Sequence, residues 1–166
     1  MGFGVKSAEP VERQLVKFMA RYTPEVARVA TNARRKLRQL LPGAVELIYD
    51  NYNALVVGFG PTERASDAIL SIALYPRWVN LFFLRGVGLA DPHRLLRGTG
   101  SRVRSIVLEK ASLLDDEAVR DLIKAAVAAN PVQLVSSGRR RVIIKSVSAK
   151  QRARRPAVSR GRPTKG

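Results

Sequence analysis

The middle of this 166-residue chain is a series of short apolar runs separated by turn residues, and this pattern restricts the fold more than any other feature. The runs cover residues 44–50, 54–59, 68–74, 78–84 and 102–109. Asn51-Tyr52-Asn53 and Tyr75-Pro76-Arg77 each join two of these runs through a tight turn, which is typical of a β-hairpin. Because strands joined by tight turns are antiparallel, the runs predict a five-stranded, mainly antiparallel sheet.

Amphipathic helices are predicted on both sides of these strands. Residues 10–22 have apolar side chains at helical spacing, and Thr23-Pro24-Glu25 has the hydroxyl, the proline and the acidic residue typical of a new helix start. Pro42-Gly43 ends this second helix, and Asp115-Asp116-Glu117 begins a third. The order is helix, helix, five strands, helix. Amphipathic helices need an apolar surface to cover, so we predict an α+β two-layer sandwich with the helices on one face of the sheet.

The charges divide the chain into two unequal parts. All 13 acidic residues precede residue 131, whereas 11 of the 30 basic residues follow it. We therefore expect an N-terminal helix in residues 1–22, an α+β domain in residues 23–131, and a basic, largely disordered tail in residues 132–166. Residues 142–147 are weakly apolar, which leaves a short ordered extension open.

The composition excludes several classes of protein. There is no cysteine, so disulfides, thiolate metal sites and a cysteine nucleophile are excluded, and the single histidine, His93, cannot by itself form a histidine-based zinc or iron site. No Ser-His-Asp arrangement is recognisable, so we expect no catalytic site, no metal and no cofactor. No apolar run reaches the roughly 18 residues of a membrane span, and the N-terminus lacks an apolar signal segment. We therefore expect a cytoplasmic protein.

The basic tail is the strongest candidate for an interaction with another molecule. A block of like charge predicts an anionic partner, such as nucleic acid or another polyanion. Such a tail would contact phosphates without sequence preference, because it offers charge but no aromatic residue for stacking. The alternative is that the tail only improves solubility. The candidate nucleic-acid-binding residues are Arg139, Arg140, Arg141, Lys145, Lys150, Arg152, Arg154 and Arg155.

A second candidate site involves the aromatic residues of the strands. Side chains alternate between the two faces of a strand, so some aromatic residues must point away from the helices. If Tyr49 or Trp78 lies near Arg102 or Arg104 on an uncovered sheet face, the four residues predict a shallow site for an anionic or aromatic ligand. The alternative is that these aromatic side chains pack in the core.

Several motifs between residues 44 and 107 occur together in one known family. They are Glu46-Leu47-Ile48-Tyr49-Asp50, Trp78-Val79-Asn80-Leu81-Phe82-Phe83, Gly86-Val87-Gly88-Leu89-Ala90-Asp91-Pro92, and Leu95-Leu96-Arg97-Gly98-Thr99-Gly100 followed by residues 102–107. With these motifs, residues 27–129 resemble the YdhG-like family of small bacterial domains of unknown function, whose fold is grouped with frataxin-type α+β sandwiches. The resemblance implies the fold and a small non-catalytic binding module.

The same resemblance raises a third function, because some relatives have been linked to a frataxin-like iron-chaperone role. Iron binding of that kind uses an acidic ridge along the first long helix and the first strand. Here the helix contains Arg34-Arg35-Lys36-Leu37-Arg38, which would repel a cation, and only Glu46 and Asp50 on the strand have the expected sign. The sequence thus predicts a binding module of unidentified ligand, with nucleic-acid association through the tail and iron delivery as alternatives.

Overall fold

The computed structural model describes residues 9–157, which form three α-helices and one mixed β-sheet. The helices and strands are α1 (Val11–Ala20), α2 (Pro24–Leu40), β1 (Val45–Asp50), β2 (Leu55–Gly60), β3 (Leu70–Leu74), β4 (Val79–Phe83), β5 (Arg104–Leu108), α3 (Glu117–Ala129) and β6 (Val142–Val147). Short 3-10 helices occupy Ala65–Asp67 and Ala111–Asp115. The α+β class is confirmed.

The sheet has six strands in the order β5-β4-β3-β2-β1-β6, so the predicted count of five is wrong. Strands β1 to β5 are antiparallel to their neighbours, as expected from the turns, whereas β6 pairs in parallel with β1. Strand β6 belongs to the segment predicted to be largely disordered, and this is a correction. Its apolar residues Val142 and Ile144 pack against the core, and this burial outweighs the charge around them. Residues 158–166 of the predicted tail lie outside the described residues.

The helix starts follow the local chemistry that the sequence predicts. The side chain of Thr23 accepts a hydrogen bond from the Val26 N–H at 3.3 Å, and Asp116 accepts one from the Ala118 N–H at 3.0 Å. Gly43 follows α2 with φ of +79°, a left-handed conformation that favours glycine. These caps set where α2 and α3 begin and where the chain turns into β1.

One face of the sheet packs against the helices. Every second residue of the strands joins the buried sides of α1, α2 and α3 in a single core, which includes Leu55, Val57, Phe59, Leu70, Ile72, Leu74, Val79, Leu81 and Phe83. The intervening residues form the second face, which we call the open face, and none of them belongs to that core. The open face includes Leu47, Tyr49, Val56, Gly58, Ser71, Ala73, Asn80, Phe82, Ser105 and Val107, and of these Leu47, Gly58, Ser71 and Ala73 are buried.

No helix among residues 9–157 has both the length and the apolar character that crossing a membrane requires.

Candidate functional site

The chain after β6 crosses the end of the β1–β2 hairpin, and we call residues 148–155 the strap. The Ser148 N–H donates to the Asp50 carbonyl oxygen at 2.9 Å, and the Arg152 N–H donates to the Tyr52 carbonyl oxygen at 2.9 Å. Backbone hydrogen bonds therefore join the hairpin to the strap. This attachment holds the basic residues that follow β6 in a fixed place on the surface.

Arg154 anchors the strap by a buried ion pair. Its Nη2 lies 2.9 Å from Asp50 Oδ1, and both side chains are 2% exposed. The same guanidinium donates to the Asn51 carbonyl oxygen and lies 5.7 Å from the centre of the Tyr22 ring. Arg21 gives the carboxylate a second, more distant cation, 3.6 Å from Oδ2. Arg154 is thus a structural residue and is not available to a phosphate, contrary to the sequence-based expectation.

Arg141 and Lys145 both approach Glu63 in the loop between β2 and β3. Arg141 forms an ion pair with the Glu63 carboxylate, and Lys145 Nζ donates to the Glu63 carbonyl oxygen at 3.3 Å. Only the first of these contacts compensates a charge, because a carbonyl group carries no net charge. Lys145 is therefore exposed without a carboxylate partner among the described residues.

The other predicted basic residues bond to neutral groups or extend from the surface. Arg155 donates to the carbonyl oxygens of Ala20 and Arg21, and Arg152 lies 5.5 Å from the centre of the Tyr52 ring. Within residues 9–157, six exposed cations of this region have no carboxylate partner, and we call them the basic edge. They are Arg139, Arg140, Lys145, Lys150, Arg152 and Arg155.

The basic residues of α2 have a different role from the one the sequence suggested. Glu46 on β1 is fully buried, with its carboxylate oxygens 2.6 Å from Arg34 Nε and 2.8 Å from Arg38 Nε. Glu12 on α1 completes this network, and its hydrogen bond with Arg34 is the main cause that lowers its pKa to about 2. Two of the arginines expected to repel a cation thus neutralise one of the two strand carboxylates, and Arg154 neutralises the other, Asp50.

The four residues of the predicted ligand site do not come together. Val79 pairs with Leu108, whereas Phe83 pairs with Arg104, so Trp78 and Arg104 lie at opposite ends of the β4–β5 pair. Arg104 donates to the carbonyl oxygens of Gly100 and Val103, and Arg102 is exposed in the loop before β5. Tyr49 lies on the open face of β1, which strands β2 and β3 separate from β4.

Trp78 lies at the tip of the β3–β4 hairpin and is 44% exposed. Its ring stacks on Tyr75 with 5.2 Å between the ring centres, and it borders a cleft of about 220 Å³ next to the first turn of α2. Glu25 and Glu109 also line this cleft, together with the cation Arg77 and several apolar side chains. The sequence contains no signal for their meeting, since 84 positions separate them (109 minus 25) and only the fold brings them together.

A second group of cations lies in the glycine-rich connection between β4 and β5, and we call it the arginine loop. Its only acidic residue, Asp91, accepts hydrogen bonds from the backbone N–H groups of Leu95 and Leu96, each at 2.9 Å. Arg97 pairs with Ser105 on the outer side of β5. The cations of the loop are Arg85, Arg94, Arg97 and Arg102, with Arg104 following as the first residue of β5, and none of the five has an ion pair among the described residues.

His93 is an exposed residue of the same loop. Within the part of the chain that the structure describes, no three side chains of histidine, aspartate or glutamate meet in a way that would hold a metal ion.

Comparisons with family models, with curated proteins and with solved structures find no match to this chain. The resemblance to the YdhG-like family therefore stays a prediction.

Proposed function

We propose that this protein is a non-catalytic α+β binding module that associates with nucleic acid through phosphate contacts of the basic edge. One observation carries the proposal. The basic edge has six exposed cations without a carboxylate partner among the described residues: Lys145 on β6, Lys150, Arg152 and Arg155 on the strap, and Arg139 and Arg140 just before β6. A cluster of exposed cations on one part of a domain is the electrostatic pattern that binds the phosphates of a nucleic acid.

The fixed position of these cations favours binding. A disordered arm loses conformational entropy when it settles on a partner, and preorganised groups avoid much of this loss. Here β6 and the buried Arg154 hold the backbone of Lys145, Lys150, Arg152 and Arg155 before any partner arrives. The proposed interface is thus a surface of the folded domain, which differs from the flexible arm expected from the composition.

Binding of this kind is electrostatic and independent of sequence, because phosphate contacts carry no base information. If all six cations contact phosphates of a duplex, the logarithm of affinity falls with the logarithm of salt concentration with a slope of about −5. Fluorescence anisotropy with a labelled oligonucleotide across a salt series measures this slope directly.

Two double variants with the same charge change test the location of the interface. Arg139→Gln with Arg140→Gln removes two cations of the basic edge, whereas Arg28→Gln with Arg35→Gln removes two exposed cations of α2. We expect the first pair to make the slope less negative by about 2 and the second to leave it nearly unchanged. Equal effects of both pairs would mean that net charge alone attracts the oligonucleotide, and the proposed interface would be wrong.

A second candidate function is the binding of a small ligand in the cleft beside Trp78. The exposed aromatic ring and the apolar side chains favour an aromatic ligand, and Glu25, Arg77 and Glu109 offer charges of both signs to its polar groups. Trp78 is the only tryptophan, so its fluorescence reports occupancy without a label. The iron-chaperone alternative gains no support from this arrangement, because Glu46 and Asp50 are both bound to arginine.

A further inference from the structure

The loop between β2 and β3, residues 61–69, touches both the basic edge and the arginine loop. On one side, its Glu63 carboxylate forms the ion pair with Arg141, the residue just before β6. On the other side, the Ser66 carbonyl oxygen accepts a hydrogen bond from Arg85 Nη2 at 3.3 Å. Two groups of cations that are far apart in the sequence therefore flank a single loop.

The directions of the strands explain why these cations meet at one end of the sheet. Strands β2 and β4 end there, whereas β1, β3, β5 and β6 begin there. Arg139 lies just before β6, Arg64 follows β2, Arg85 follows β4, and Arg102 lies just before β5. Five strand spacings separate β6 from β5, which is about 24 Å at the usual distance between strands.

Arg85 and Arg102 border a hollow of about 200 Å³ beside the β2–β3 loop. Arg85 is half-buried and Arg102 is exposed, and among the described residues no acidic side chain lines the hollow. The hydrogen bond from Arg85 to Ser66 reaches a neutral carbonyl group, so it leaves the charge of the guanidinium uncompensated. A guanidinium has several N–H donors in a planar fork, which matches the oxygens of a phosphate.

The backbone of the arginine loop fixes the position of this hollow. The Val87 N–H donates to the Arg102 carbonyl oxygen at 3.0 Å, which joins the two sides of the loop. Gly86 packs so closely on Arg104 that a Cβ atom at this position would lie 2.5 Å from the Arg104 Cβ, and only glycine allows this approach. An anion that enters the hollow therefore meets a site that is already formed, which reduces the entropy lost on binding.

Arg64 lies between the basic edge and the hollow. It is exposed in the β2–β3 loop and has no ion pair among the described residues. Of the two acidic residues in this loop, Glu63 is paired with Arg141, and Asp67 accepts a hydrogen bond from the Thr62 hydroxyl at 2.6 Å. Cations thus outnumber free carboxylates along this end of the sheet. We call Arg64, Arg85 and Arg102 the arginine track.

We infer that a nucleic acid bound at the basic edge continues across this end of the sheet and places a phosphate in the hollow between Arg85 and Arg102. The inference rests on the proposed function and adds a second phosphate site to its interface. Successive phosphates of one duplex strand are about 3.4 Å apart along the axis, so about seven of them cover the distance from β6 to β5. A free nucleotide is too short to reach both sites, so the ligand is a polyanion with regularly spaced phosphates.

The experiment measures the salt dependence of binding to a labelled duplex of about 18 base pairs, which is longer than the distance to be covered. Arg85→Gln with Arg102→Gln removes both guanidinium groups of the hollow. Arg64→Gln with Arg102→Gln removes two exposed cations of the arginine track, and Arg28→Gln with Arg35→Gln removes two exposed cations of α2 as the matched control. A thermal melt of each variant shows that it is folded at the assay temperature.

We expect the logarithm of affinity for the full chain to fall with the logarithm of salt concentration with a slope of about −8, since the arginine track adds three contacts to the six of the basic edge. Either pair of track substitutions should make this slope less negative by about 2, and the α2 pair should leave it nearly unchanged. Adding Arg139→Gln and Arg140→Gln to a track pair should change the slope by about 4 in total, because one duplex contacts both sites.

Other outcomes separate the inference from the proposed function. If the track pairs change the slope no more than the α2 pair does, while Arg139→Gln with Arg140→Gln still changes it, the inference is overturned and the proposed function stands. Saturation with two duplexes per chain also overturns the inference, because no single molecule then crosses the end of the sheet. Absence of binding at low salt overturns both.

Discussion

The buried pair of Arg154 and Asp50 makes a quantitative prediction about how the C-terminal segment stabilises the fold. Arg154→Met keeps most of the side-chain volume but leaves the Asp50 carboxylate buried without its close partner, 2.9 Å away. Removing one member of a buried ion pair costs about 3–5 kcal/mol. Arg21 lies 3.6 Å from the other carboxylate oxygen and compensates in part, so we expect about 3 kcal/mol in the free energy of unfolding. For a domain of this size, this corresponds to a fall in melting temperature of roughly 6–12 °C.

Urea denaturation followed by circular dichroism measures this free energy, with two further variants for comparison. Arg152→Met lies on the same strap but is exposed over Tyr52, so it should cost about 1 kcal/mol or less. Asp50→Asn combined with Arg154→Met removes both buried charges and should cost less than the two single changes added together. If Arg154→Met and Arg152→Met prove equally mild, the ion pair does not anchor the strap and the reasoning is refuted.

Three further predictions follow from the packing and the charges. A chain ending at residue 141 lacks β6 and the strap, so it should lose cooperative unfolding and associate on a sizing column, whereas a chain ending at residue 157 should melt like the full chain. The lowered pKa of Glu12 means that its carboxylate adds stability above its unfolded pKa of about 4.5 and loses it as pH falls towards about 2. Since its side chain is 53% exposed, this contribution is small, and Glu12→Gln should reduce the pH dependence of the free energy of unfolding only slightly in urea titrations. Trp78→Ala should lower the free energy of unfolding by about 1–2 kcal/mol, because Trp78 is 44% exposed and the variant loses mainly the stacking on Tyr75. A thermal melt measures this loss. A loss of about 3–5 kcal/mol, which is typical of a core residue, would contradict the exposed position of Trp78.

The local parts of the fold could be predicted because their causes lie within a few residues. The turns at Asn51-Tyr52-Asn53 and Tyr75-Pro76-Arg77 join β1 to β2 and β3 to β4, and Thr23 caps α2 through its own side chain. Strand β6 has no such local cause. Its three half-buried apolar residues, Val142, Ile143 and Ile144, gain burial only when β1 and the core are already beside them. The surrounding arginines and lysines therefore dominated the prediction from composition.

The candidate site was harder to predict than the fold, for the same reason. Arg154 is one of many arginines near the C-terminus, and nothing in its neighbours distinguishes it from the exposed Arg152 or Arg155. Whether it is buried depends on Asp50, which lies 104 positions earlier (154 minus 50). Likewise, Trp78 and Arg104 looked compatible with one site until the register of β4 and β5 placed them at opposite ends.

The parallel pairing of β6 with β1 has a consequence for synthesis of the chain on the ribosome. Glu46 pairs with Val142, so this contact spans 96 positions (142 minus 46) and is among the longest-range contacts in the sheet. Contacts of high sequence separation form late, since their loop-closure entropy must be offset by structure that already exists. Strand β1 is therefore synthesised early. The N–H and C=O groups on its edge away from β2 stay unpaired until β6, near the end of the chain, has been synthesised. A ribosome that stops before β6 would release a protein with an open sheet edge, and such a product is exposed to aggregation and proteolysis.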